Sequence, residues 1–73
     1  MISRKLACLL VAADIVGRAK TLATREKRGA MMRAMRVLKG TGDHRRMPPK
    51  LEALVQRYEV DPPKEWVSQF PKA

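Results

Sequence analysis

The side chains best suited to chemistry occur singly in this 73-residue chain. Cys8 is its one cysteine and His44 its one histidine, so neither a disulfide nor a Cys/His zinc site can be assembled from this chain alone. Cys8 reads as a small apolar residue on a helix face. His44 has no Ser, Cys or carboxylate placed to act with it as nucleophile or base, and reads as a neutral polar contact. Gly40-Thr41-Gly42 offers backbone amides to a phosphate but lacks the lysine and spacing of a nucleotide-binding loop. With no paired catalytic carboxylates, dinucleotide motif or internal repeat, the sequence predicts no enzyme, no cofactor and no metal.

The residues that do recur are cations. Between Thr24 and Lys39, at 100° per residue, Arg25, Arg28, Arg33, Arg36 and Lys39 fall on one side of a helix. Ala30, Met31, Ala34, Met35, Val37 and Leu38 fall on the other, and only Lys27 crosses over. Glu26 is the sole carboxylate in the stretch. An apolar stripe buries a helix, whereas five cations opposite it call for an anionic surface, for which RNA is the expected partner. Behind this helix, Arg45 and Arg46 lie in the loop 40–47, where two guanidiniums can bridge phosphates.

Charge divides the chain. Residues 1–46 hold twelve Lys or Arg against Asp14, Glu26 and Asp43, which accounts for the whole net charge of +9, while residues 47–73 hold four of each sign. Tyr58, Trp66 and Phe70, the only aromatic residues, all lie in the neutral part. A basic, aromatic-free front favours phosphate contact over base stacking. Leu51, Leu54, Tyr58, Trp66 and Phe70 are the expected protein-docking residues of the tail.

The chain is read as one small all-α domain, 1–73, extended rather than compactly globular. Ser3 caps a first helix of about 3–22 whose stripe is Ile2, Leu6, Leu9, Leu10, Ala13, Val16 and Gly17, with Asp14 and Arg18 paired four residues apart. Thr24 is placed as the cap of the second helix, 24–39, which ends at Gly40; one kinked helix over 3–39 is the other reading. Pro48 and Pro49 introduce a third helix, about 49–58, and Asp61 caps a final turn near 62–69. A domain this short buries only roughly 60% of its unfolded surface, so its stability is expected to depend on a partner.

The longest apolar run, Leu6–Ile15, falls short of the ~20 residues a membrane span needs, so no transmembrane segment is expected. The first 25 residues are Arg/Lys-bearing, acid-poor and amphipathic like a mitochondrial presequence, here expected to be retained; the other reading is the first helix of a cytosolic protein. Together these features predict a structural subunit of a ribonucleoprotein, most simply a mitochondrial ribosome in the matrix, holding rRNA with its basic half and neighbouring proteins with its tail. The alternative is a matrix-side accessory subunit of a respiratory complex or ATP synthase, its arginines on anionic lipid. A helix-turn-helix reading fails because the loop from Gly40 to Pro48 is too long.

Overall fold

The computed structural model describes residues 1–64. It contains three α-helices, α1 (Arg4–Ala19), α2 (Thr24–Lys39) and α3 (Pro49–Val60), with a 3-10 turn at His44–Arg46. No strand occurs among the described residues. The predicted final turn near 62–69, with Trp66 and Phe70, lies outside them apart from Pro62–Lys64.

Ser3 begins α1 as expected, its hydroxyl accepting from the Leu6 amide at 3.1 Å, which satisfies one of the free donors of the first turn. The helix ends three residues early, at Ala19. There the Leu22 amide bonds back to the Ala19 carbonyl, and the Thr21 hydroxyl takes the Arg18 carbonyl. Ala23 is then extended (φ −65°, ψ 159°), so the chain turns and the continuous 3–39 helix is ruled out. Ala23 also holds the cap position assigned to Thr24, and it has no side chain to bond the free amides.

The C-terminal end of α2 returns to Arg4 at the start of α1, which makes the pair antiparallel; α3 packs on α1 as well, and barely touches α2. The result is a slab whose Cα trace measures 37 × 28 × 16 Å, with α1 in the middle. Its radius of gyration, 12.2 Å, is near the about 11 Å of a compact chain of this length.

The core lies where all three helices meet: Ala7, Cys8, Val11 and Ala12 of α1, Ala34 and Val37 of α2, Met47, and Leu51 and Val55 of α3. Val11, Val37 and Val55 are essentially fully buried, each contributing roughly 1.5–3 kcal/mol of burial. This corrects the expected stripes. On α1 only Leu10 of the predicted set is fully buried, while Leu9 and Val16 are exposed. On α2, Ala30, Ala34 and Val37 go inside, but Met31, Met35 and Leu38 stay about half exposed. Between α1 and α2 the core is built of alanines, Cys8 and valines, while Leu9, Met31, Met35 and Leu38 are left outside it.

Gly40 caps α2 as expected, its amide bonding back to the Arg36 carbonyl at 3.0 Å. Its φ of −85° is ordinary, so it does not cap α2 by a left-handed conformation. What demands glycine is space. A Cβ at residue 40 would stand 2.7 Å from Met47 Cε and 3.1 Å from Met47 Cβ, so the buried methionine sits directly on the helix end.

α3 starts at Pro49, whose ring suits a position with no helical donor to lose. It runs two residues beyond the expected end, to Val60, and the Asp61 amide closes it on the Arg57 carbonyl at 2.8 Å.

Candidate nucleic-acid interface

Because α2 buries Ala30, Ala34 and Val37, the helical period turns Arg25, Arg28, Arg33, Arg36 and Lys39 into solvent. All five are exposed, and none makes an ion pair among the described residues. They span 15 residues, Arg25 to Lys39, roughly 21 Å of helix. A B-form duplex shows about twelve phosphate charges over such a length. The arc is therefore open, uncompensated and long enough to meet several phosphates.

Two of these features work against the helix itself. The positive end of the helix dipole disfavours cations in the first turn by about 0.3–1 kcal/mol each, yet Arg25 and Lys27 stand there with only Glu26 to offset them. The missing side-chain cap at Ala23 leaves the same end weakly held.

Arg45 and Arg46 are placed differently from the flexible loop expected of them. Asp43 begins the 3-10 turn by accepting from the Arg45 amide at 3.0 Å. Its carboxylate also receives Arg45 Nε at 3.3 Å and lies 3.9 Å from Arg46 Nε. The amide bond, then the neighbouring guanidiniums, hold the Asp43 carboxyl below its ordinary pKa. Both arginines remain about four-fifths exposed, but they share one carboxylate, and their net charge is lower than the sequence suggested.

Of the expected docking residues, Leu51 is in the chain's own core and Leu54 is 40% exposed. Tyr58 packs against that core and donates its hydroxyl to Asp14 at 3.2 Å. Burial, then the Asp14 charge, raises the Tyr58 pKa. The expected pair of Asp14 with Arg18 is present at 3.2 Å.

One cation that sequence reading passed over is central. Arg4 donates Nη1 and Nη2 to the two carboxylate oxygens of Glu52, both at 2.7 Å. It also donates Nε to the Thr41 carbonyl at 3.2 Å and Nη2 to the Gly40 carbonyl at 3.0 Å. One guanidinium thus joins the start of α1, the end of α2 and the first turn of α3. The hydrogen bonds from Arg4 hold Glu52 below its usual carboxylate range, and those to Glu52 raise Arg4 further. Nothing local signals this junction, because its partners lie 36 to 48 residues away.

No helix of the described residues is long and apolar enough to cross a membrane. Within them, no three of His, Cys, Asp and Glu come together as a metal site. Neither a protein-family model, nor a curated protein, nor a solved structure matches this chain.

Proposed function

We propose that this chain is a non-catalytic assembly subunit that clamps structured RNA of a large ribonucleoprotein through the outer face of α2. The observation that carries the reading is the unpaired row Arg25, Arg28, Arg33, Arg36 and Lys39. The cations near the start of α2, held there against its dipole, add to it: local stability is set aside where charge serves another purpose. Arg45 and Arg46 extend the surface as weaker contributors, since Asp43 already partners them. A mitochondrial ribosome, with rRNA as the ligand and the matrix as the setting, rests on the acid-poor start of the chain alone.

The test is fluorescence anisotropy of the full chain with an RNA duplex over a range of salt. Neutralising about five phosphates gives a slope of log K against log salt near −4 to −5, at about −0.9 per phosphate of a duplex. Affinity independent of salt overturns the electrostatic reading. Tight binding to anionic vesicles with none to RNA replaces it with the lipid-facing accessory subunit.

A further inference from the structure

Beside its cationic arc, α2 carries a second outward surface. Met31, Met35 and Leu38 are 46, 55 and 46% exposed, and across a groove of about 440 Å³ they face Leu9 and Val16 of α1. The groove is floored by Ala12, Ala13, Gly17 and Ala34. Four small residues make it a hollow, and a side chain at Gly17 would meet nothing within 4 Å.

We propose that this groove docks one amphipathic helix of a partner protein, with its apolar residues inward and carboxylates along its edges. Shape selects the helix. Leu9 to Lys20 spans roughly 17 Å along α1, room for about three helical turns. Small residues let a second backbone approach closely, and methionine walls adapt to the side chains that enter. A bilayer surface is met by projecting apolar side chains rather than by a hollow.

Charge selects the acidic edges. Lys20 lines the groove, and Lys27 stands at the end where Val16, Lys20 and Met31 continue it. Arg28 is three residues from Met31 and Lys39 four from Met35, so both border the same strip. No carboxylate lines the groove, and Lys20, Lys27, Arg28 and Lys39 form no ion pair among the described residues. A second copy of this chain would bring another net +9 toward the rim, which disfavours it as occupant beside an acidic partner. The docking surface shares Arg28 and Lys39 with the edge of the RNA arc, but its apolar floor and walls and Lys20 lie outside that arc, so it does not depend on the RNA reading.

The probe is a synthetic helix of about 14 residues, three to four turns, with leucines at i, i+4 and i+7 and glutamates on both flanks. A control of the same composition is scrambled to destroy the period. In the full chain with labelled methionine methyls, titration with the helical peptide is expected to shift Met31 and Met35 to saturation, leaving buried Met47 unmoved. Gly17→Leu fills the floor with a good helix former and should weaken the peptide at least ~10-fold, with helicity and RNA affinity retained. Equal binding of the scrambled control, native affinity in Gly17→Leu, or protection of the methyls by phosphatidylglycerol vesicles but not by peptide overturns the proposal. Loss of RNA binding in the double variant Arg33→Glu, Arg36→Glu, neither of which borders the groove, with peptide binding intact, separates this surface from the RNA reading.

Discussion

Arg4 and the arginines of α2 are chemically identical and do opposite things. Arg4 meets four acceptors drawn from the ends of two other helices and keeps only a quarter of its side-chain surface exposed. Arg25, Arg28, Arg33 and Arg36 are exposed on one helix and have no ionic partner among the described residues. The difference lies in where acceptors are available. The bidentate carboxylate and two helix-end carbonyls satisfy a rigid guanidinium fork, so Arg4 is bound to the fold; the others remain free for a ligand.

The strongest way to break this contrast is to remove Arg4. Arg4→Ala leaves the Glu52 carboxylate without its guanidinium and two carbonyls without their donor, at an expected cost of about 2–3 kcal/mol. In a domain of this size that lowers Tm by roughly 10–20 °C in calorimetry. A fall within a few degrees would show that the junction is ornamental and that Arg4 resembles the others.

Arg33→Glu with Arg36→Glu should reverse the pattern. RNA affinity is expected to drop about 30-fold, roughly 2 kcal/mol, with Tm nearly unchanged. Should Tm fall as far as it does in Arg4→Ala, the outer arginines are structural after all.

Acid sharpens the contrast chiefly through Glu52, since Asp43, the other carboxyl held below its ordinary pKa, partners only exposed arginines. The folded-state pKa of Glu52 lies below the ordinary value, so the stabilisation it brings is complete above the unfolded value of about 4.3 and is lost as pH falls through the folded value. Tm followed from neutral pH downward should therefore hold until about pH 5 and then decline. Glu52→Gln should start lower and decline less.

Arg25→Glu carries a smaller effect of mixed sign. Replacing a cation in the first turn of α2 is expected to raise stability by about 0.5–1 kcal/mol while weakening RNA several-fold. A variant that loses both would show that Arg25 also holds the fold. The smallest change is expected of Asp43→Asn. Asparagine still accepts from the Arg45 amide, so Tm should stay level while RNA affinity rises about twofold as Arg45 and Arg46 lose their carboxylate.

How much of this was legible in the sequence follows from the range of each interaction. The Ser3 cap, the Asp14–Arg18 pair, Pro49 and the outward α2 cations each depend on a single helix and its cap, and all four stand in the structure. Leu9, Met31 and Met35 misled because periodicity favours large apolar residues. α1 is apolar over most of its circumference, and packing chose the alanines that allow close approach. The cap at Ala23 could not be read, since alanine has no capping group. Arg4 against Glu52 depends on distant chain segments meeting, for which sequence spacing holds no information, and Met47 against Gly40 depends on how an aperiodic loop folds back.

The Arg4 junction also imposes an order of events in time. A ribosome makes Arg4 forty-eight residues before Glu52, a wait of about 2–10 s at 5–20 residues per second. Until then Arg4 lacks its carboxylate, and of its acceptors only the Gly40 and Thr41 carbonyls have been made. Vectorial synthesis thus builds the keystone first and the arch last, so the young chain is most open to chaperones, proteases and premature partners until its third helix appears.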